Sequence, residues 1–155
     1  MTLGVYEIIN DPIPQLFKIR DIQVNKNDFF EDDNIVRVLN KKLMVDKLST
    51  EHFYALSLTY SCIPRGIIQV SVGKCDECVV SRRDLAIGLL LTGGEQFMVF
   101  HNHPGGCKNI SKSDIQLTKE CDEIGKLIEI KFLRHIMITQ DYYTYCNYEE
   151  KMPFA

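Results

Sequence analysis

The 155-residue sequence predicts a single domain of the α/β or α+β class, in which helices flank a mixed central sheet in three layers. Strand patterns and helix patterns alternate along the chain, and no linker rich in Gly, Ser or Pro divides it. The hydrophobic fraction of 45% suits one ordinary core. We expect residues 1–27 to form an extended lead-in packed on a domain of residues 28–155.

Each predicted element follows from local periodicity and turn signals. Runs typical of strands occur at residues 5–8, 19–24, 53–60, 67–72, 97–100, 132–138 and 142–146. Apolar residues at helical spacing predict helices over residues 29–47, 82–92 and 111–126. Asp28 is the expected cap of the first helix, and the turn Pro64-Arg65-Gly66 joins a hairpin. Residues 101–109 are expected to form a loop.

Charge and composition exclude several classes of protein. The formal net charge is −3, and the chain has no basic run of the kind that neutralises phosphates, which argues against DNA binding by this chain alone. No apolar stretch reaches the roughly 18–20 residues of a membrane span. The N-terminal residues lack the pattern of a signal peptide, so we expect a cytoplasmic protein whose six cysteines are reduced.

The most informative pattern is His101-x-His103 followed by Asp114. Residues i and i+2 of an extended chain face the same side, so His101 and His103 can direct two imidazoles at one point. Asp114 lies in the first turn of the next predicted helix and can reach back with its carboxylate. Two His and one carboxylate leave a fourth position for water, as in catalytic zinc sites.

Two further roles remain open from the residues alone. Ser111 fits an N-cap in a Ser-x-x-Asp capping box, and it also fits a group beside the metal that stabilises a developing oxyanion. A zinc site also needs a general acid and base, for which Glu51, Glu95 and Glu120 are all candidates. Glu51 begins a predicted strand, where a rigid element can direct it.

These residues resemble the RadC branch of the JAB/MPN (JAMM) metalloprotease-like superfamily. The family pattern is a glutamate, then His-x-His, seven residues, and Ser-x-x-Asp, and this chain meets every spacing from Glu51 through residues 101–106 and Ser111 to Asp114. Leu117-Thr118-Lys119 also follows the family pattern. The resemblance covers residues 51–145, about two thirds of the chain.

The resemblance implies a JAB/MPN-like fold, similar to that of cytidine deaminases, and a hydrolase of peptide or isopeptide bonds. It implies Zn²⁺ on His101, His103 and Asp114, with Glu51 as the acid and base and Ser111 on the oxyanion side. A protein or peptide is the implied substrate, and the family also carries a DNA-repair label. The short region before Glu51 resembles a domain-only member without the helix-hairpin-helix region of longer RadC proteins.

Four departures from the family pattern occur outside the predicted ligands. They are Gly105 for Ser, Ile110 for Pro, Arg82-Arg83-Asp84 for Pro-Arg-Glu, and Arg134-His135 for Asp-His. The last places a cation where a carboxylate normally stands. We therefore expect His135 to lose a hydrogen-bond partner that would otherwise orient it beside the metal.

The alternative to an enzyme is a RadC-like binding module in DNA repair or mobile-element maintenance, with a vestigial metal site.

Other motifs in the sequence are expected to have ordinary structural roles. Cys75-x-x-Cys78 has no second ligand pair and is expected to be two ordinary thiols, and Cys107 is expected to be an exposed thiol in the metal-site loop. The letters His-Asn-His do not indicate an HNH nuclease, whose motif residues are dispersed. A tyrosine-rich tail is expected to pack as a terminal strand rather than stack on bases: Tyr142, Tyr143, Tyr145 and Tyr148.

Overall fold

The computed structural model of this chain describes residues 1–73 and 79–147. The strands are β1 (Thr2–Asn10), β2 (Pro14–Gln23), β3 (His52–Leu58), β4 (Pro64–Val72), β5 (Gln96–Asn102), β6 (Lys131–Ile138) and β7 (Tyr143–Tyr145). The helices are α1 (Asp32–Leu43), α2 (Arg82–Thr92) and α3 (Lys112–Leu127), with short 3₁₀ turns at Lys26–Phe29 and Val45–Lys47. The predictions for Cys75, Cys78 and Tyr148 lie outside the described residues.

All seven strands form one sheet in the order β2-β1-β4-β3-β5-β6-β7. The pairs β1/β4 and β5/β6 are parallel, and the other four pairs are antiparallel. The predicted hairpin is the antiparallel pair β3/β4. The mixed sheet confirms the predicted fold class. The predicted lead-in supplies β1 and β2 of this sheet, and the boundary at residue 28 stays a prediction.

The sheet separates two apolar cores and completes the three layers. Helix α1 packs on one face, where Met98 and Phe100 of β5 are buried. Helices α2 and α3 pack on the other face, against Phe97 and Val99. Because side chains alternate along a strand, the next odd-numbered residue, His101, faces the α3 side. Strand β5 is buried along its whole length, and it continues through Asn102 rather than ending before a loop at residue 101.

The prediction of a helix over residues 29–47 was wrong at both ends. Helix α1 begins only at Asp32, and Asp28 instead accepts a hydrogen bond from the backbone N–H of Asn25 within a 3₁₀ turn. Met44 has a φ of 54° and ends the helix in the left-handed conformation. Apolar periodicity extends over both 3₁₀ turns, so it could not reveal where the α-helical backbone starts or stops.

Arg134 lies on the opposite face of the sheet from His135, because neighbours along a strand alternate. Its guanidinium donates to Asp32, in the first turn of α1. The Tyr145 hydroxyl donates to the same carboxylate at 2.6 Å. The cation at position 134 therefore attaches α1 to β6 and β7.

No helix among the described residues combines the length and hydrophobicity needed to cross a membrane.

Gly125 allows the last turns of α3 to lie against the backbone that leads into β6 and against the side chain of Phe97. A Cβ atom added at this position would lie 2.6 Å from the backbone oxygen of Ile130 and 3.1 Å from Cε1 of Phe97. Contacts below about 3 Å do not occur between such atoms without a shift of backbone, which is costly in a packed interior. The position of α3, which carries Asp114, therefore depends on the missing side chain.

We predict that Gly125→Ala lowers the free energy of unfolding by about 1–3 kcal/mol, the usual cost of overpacking. The direction of this change in stability is informative, because alanine inside a helix is otherwise more stable than glycine by about 1 kcal/mol. Urea unfolding of the two proteins measures the difference. Gly105→Ala is the control, since nothing lies within 4 Å of its added Cβ. Equal stability of Gly125→Ala and the parent chain would contradict the packing argument.

Candidate metal centre

The three predicted metal ligands meet where the end of β5 faces the first turn of α3. His101 is the next-to-last residue of β5 and is 1% exposed. The backbone N–H of His103 donates to the carbonyl of Ile138 at 3.0 Å, which keeps the chain extended beyond the strand. Both imidazoles therefore face one side. Asp114 is the third residue of α3 and is buried, with its carboxylate directed at the same point.

The distances between the ligand atoms suit a small tetrahedral ion. Nε2 of His101 lies 3.0 Å from Nε2 of His103 and 3.2 Å from Oδ1 of Asp114. Nε2 of His103 lies 3.6 Å from Oδ2 of Asp114. Ligands bound to zinc at about 2.0–2.1 Å in tetrahedral geometry are about 3.4 Å apart. The three distances bracket that separation, and the three residues form a candidate metal-binding group.

The chemistry of these atoms also favours a cation. Nδ1 of His103 lies 2.9 Å from the carbonyl oxygen of Cys107, which can only accept, so Nδ1 carries a hydrogen. Nε2 of His103 then has a lone pair when the ring is neutral and donates to Asp114 when the ring is protonated. Burial alone would raise the pKa of Asp114, but hydrogen bonds with His101 and His103 hold it well below its ordinary range. The hydrogen bond with Asp114 in turn raises the pKa of His103. A positive charge between these groups, whether a proton or a metal ion, stabilises the arrangement.

The second nitrogen of His101 contacts another buried histidine. Nδ1 of His101 lies 2.7 Å from Nε2 of His135. Nδ1 of His135 lies 2.8 Å from the hydroxyl oxygen of Thr118, which also hydrogen-bonds to the backbone oxygen of Asp114 at 2.7 Å. Burial lowers the pKa of His135 well below its ordinary value, so this imidazole is neutral. The expectation that the cation at position 134 costs His135 a partner was wrong, because Arg134 bonds to Asp32 on the other face of the sheet and Thr118 bonds to His135.

A second candidate metal-binding group shares His101 with the first. It consists of His101, His135 and Cys146, whose ligand atoms lie within 4.8 Å of one another. The 2.7 Å separation of the two imidazole nitrogens is a hydrogen-bond distance, shorter than the roughly 3.4 Å between two ligands of one tetrahedral ion. Burial also raises the pKa of the Cys146 thiol, which opposes ionisation. The geometry thus favours the group with His103 and Asp114.

Ser111 occupies both of the positions that its sequence context predicts. Its hydroxyl accepts from the backbone N–H of Asp114 at 3.1 Å and donates to Oδ2 of Asp114 at 2.6 Å. Its own backbone N–H donates to the same oxygen at 2.8 Å. This is a capping box at the start of α3 that also orients a metal ligand. A role of Ser111 in stabilising an oxyanion stays a prediction.

The structure separates the three candidate acid–base residues. A cleft of about 720 Å³ opens over the metal group, and its lining includes Glu51, His103, Ser111, Asp114 and Glu120. Glu120 pairs with Arg82 at 3.2 Å. Glu95 precedes β5 at the opposite end from His101 and accepts from the backbone N–H of Tyr60. Glu51 and Glu120 thus share the cleft with the metal group.

Asn102, between the two histidines, fixes the backbone around Glu51. Its side chain faces the α1 side, where Oδ1 accepts from the N–H of His52 at 2.8 Å and Nδ2 donates to the carbonyl of Thr50 at 3.0 Å. The carbonyl of Glu51 itself accepts from the N–H of Gly73 at 2.8 Å. Sequence reasoning missed this role. A polar residue at the end of an apolar strand was the available signal.

We predict that Asn102→Ala lowers the free energy of unfolding by about 1–3 kcal/mol, because it removes the hydrogen-bond partners of partly buried backbone groups of Thr50 and His52. The amide of His52 should also exchange with solvent faster, since its acceptor is lost. Denaturant unfolding and hydrogen exchange measure the two effects. Asn109→Ala is the matched control on an exposed loop and should change neither. Unchanged exchange at His52 would contradict the assigned hydrogen bond.

Comparison with known proteins finds relatives whose sequence similarity extends over most of the chain. The chain is 28% identical over 167 residues to a UPF0758 protein of Clostridium botulinum (strain Langeland), which covers 92% of this chain and 71% of that protein. It is 34% identical over 94 residues to a UPF0758 protein of Desulforudis audaxviator, covering 61% of this chain and 41% of that protein. A UPF0758 protein of Clostridium acetobutylicum is 33% identical over 93 residues, which cover 60% of this chain and 41% of that protein.

The family model of the RadC-like JAB domain matches residues 30–152, which is most of the chain and includes every residue of the candidate metal centre. The mixed seven-stranded sheet between helices agrees with that assignment. The chain belongs to the RadC-like JAB domain family.

Proposed function

We propose that this chain is a zinc-dependent hydrolase of the JAMM type that cleaves a peptide or isopeptide bond. The observation that carries the proposal is the convergence of three ligand atoms, from His101, His103 and Asp114, beneath an open cleft. The most buried of them, His101, lies deep in the fold, whereas His103 is partly exposed and faces the cleft. Three protein ligands with a fourth coordination position open to the cleft are typical of catalytic rather than structural zinc.

Zinc is the proposed ion because the ligand set combines two imidazole nitrogens with one carboxylate. Such a set suits zinc and other first-row transition metals better than magnesium or calcium, which prefer oxygen alone. When bound, zinc polarises the scissile carbonyl and lowers the pKa of a water molecule toward about 7. Family membership supports the same ion for the same three positions.

The remaining steps belong to side chains of the cleft. Glu51 takes a proton from the attacking water and returns it to the nitrogen of the leaving amine, as a general base and then a general acid. The hydroxyl of Ser111 donates to the oxygen that becomes negative in the tetrahedral intermediate. In the structure the Ser111 hydroxyl donates to Oδ2 of Asp114, so this role requires the hydroxyl to turn toward the substrate.

A protein or peptide substrate is favoured over nucleic acid. The formal net charge of −3 disfavours binding to phosphates, and Arg82 and Arg83 are paired with Glu120 and Asp84. We propose DNA repair only as the cellular context of the protein, in keeping with the label that RadC-like proteins carry. We further propose a cytoplasmic location, in keeping with free thiols at the four described cysteines: Cys62, Cys107, Cys121 and Cys146.

We predict about one zinc ion per chain in freshly purified protein, because three preorganised ligands bind it tightly. The double variant His101→Ala/His103→Ala should contain none, since one carboxylate cannot retain the ion. Elemental analysis of both proteins measures this. No zinc in the parent chain, even after dialysis against Zn²⁺, would contradict the proposal and favour a binding module with a vestigial site.

We predict that Glu51→Gln retains zinc and loses hydrolysis by about 10²–10⁴-fold, the usual contribution of a positioned acid or base. Glutamine is nearly isosteric but cannot take a proton. The assay is a screen of peptide and isopeptide libraries with the zinc-loaded chain. Glu120→Gln is the matched control, since it alters another acid of the same cleft and should keep most of the activity. Full turnover by Glu51→Gln would show that another residue moves the proton.

A further inference from the structure

We infer that Thr118 and His135 form a hydrogen-bond relay that holds His101 in the one neutral tautomer able to bind a metal ion. The inference rests on the proposed metal site and adds two residues to it. Neither residue contributes a ligand to that site. Both act through His101, so they are positioning residues.

The first step follows from the bonding needs of His101. A metal ion on Nε2 requires the lone pair of that nitrogen, so the hydrogen of the neutral ring must be on Nδ1. Nδ1 lies 2.7 Å from Nε2 of His135. The Nδ1–H of His101 therefore donates to His135, and Nε2 of His135 must accept.

The second step fixes the hydrogen of His135. A neutral imidazole that accepts at Nε2 carries its hydrogen on Nδ1, which lies 2.8 Å from the hydroxyl oxygen of Thr118. The single hydroxyl hydrogen of Thr118 points to the backbone oxygen of Asp114, 2.7 Å away. The hydroxyl oxygen is thus free to accept from His135.

Burial couples the three hydrogen positions. His101 and His135 are each 1% exposed and Thr118 is 2% exposed, so water cannot replace a missing partner. If the Thr118 hydrogen turned toward His135, His135 would carry its hydrogen on Nε2 and donate to Nδ1 of His101. That would move the hydrogen of His101 to Nε2, where it blocks the metal. The relay has two directions, and only one of them permits metal binding.

The relay also links two ligands of the site. It starts at the backbone oxygen of Asp114, passes through Thr118 one helical turn later, and ends on His101. Helix α3 therefore positions one ligand directly and sets the tautomer of another. Hydrogen-bond partners of this kind commonly change metal affinity when they are removed.

The test compares Thr118→Val with Thr118→Ser. Valine keeps the shape of threonine but cannot accept from His135, whereas serine keeps the hydroxyl. We expect Thr118→Val to bind Zn²⁺ about 10–100-fold more weakly than the parent chain in competition with a chelator. Thr118→Ser should restore affinity to near the parent value. Urea unfolding of the zinc-free proteins identifies any general loss of stability.

Long-range ¹H–¹⁵N NMR shows which nitrogen of each imidazole carries the hydrogen. A general loss of stability would not change this tautomer. In the zinc-loaded parent chain, His101 and His135 should both carry their hydrogens on Nδ1. In the zinc-free chain, where no ion fixes the ring of His101, Thr118→Val should lose the single Nδ1–H tautomer of His135 that the parent chain keeps. Observation of the Nε2–H tautomer of His135 in the zinc-loaded parent chain would overturn the relay.

The outcomes separate this inference from the proposed function. Equal zinc affinity of Thr118→Val and the parent chain overturns the relay and leaves the metal site standing. Zinc binding weakened by valine and restored by serine supports the relay, even if no peptide is cleaved. A parent chain that binds no Zn²⁺ overturns both. Cys146→Ala should bind Zn²⁺ normally, and a large loss would instead place the ion on the group of His101, His135 and Cys146.

Discussion

The packing of α3 on the sheet, chiefly on β6 beside β5, determines whether the residues of this site can meet. His101 belongs to β5 and Asp114 to α3, and Nε2 of His101 lies 3.2 Å from Oδ1 of Asp114. Gly125 contributes to this packing, because a Cβ at its position would collide with the backbone oxygen of Ile130. The same packing places Thr118 beside His135. A small outward shift of α3 would separate a ligand pair and break the relay behind it. The chemistry therefore depends on a backbone contact about three helical turns from the ligands.

The sheet provides the second constraint, through the alternation of side chains at the end of β5. His101 faces α3 and joins the metal group, while Asn102 faces α1 and binds the backbone on both sides of Glu51. One short segment thus positions the ligands and the proposed acid–base residue from opposite faces. In this chain the middle residue of the motif also contributes, because the Asn102 side chain holds the backbone before and after Glu51 next to β5.

The sequence predicted those features that depend on local pattern. The positions of the strands along the chain, the candidate metal ligands and the cap at Ser111 all follow from spacing over a few residues. Contacts between distant segments could not be predicted in the same way. The pairing of Arg134 with Asp32, and of His135 with Thr118, joins residues 102 and 17 positions apart. The start of α1 was also missed, because apolar spacing does not distinguish an α-helix from flanking 3₁₀ turns.

The most direct test of the account is the zinc K-edge X-ray absorption spectrum of the full chain loaded with one equivalent of Zn²⁺. We predict that zinc has only nitrogen and oxygen neighbours at about 2.0–2.2 Å. The spectrum should also show the multiple-scattering signature of two imidazoles. Those neighbours are His101, His103, Asp114 and a water molecule. A sulfur neighbour at about 2.3 Å, or a spectrum of hydrated zinc alone, would contradict it.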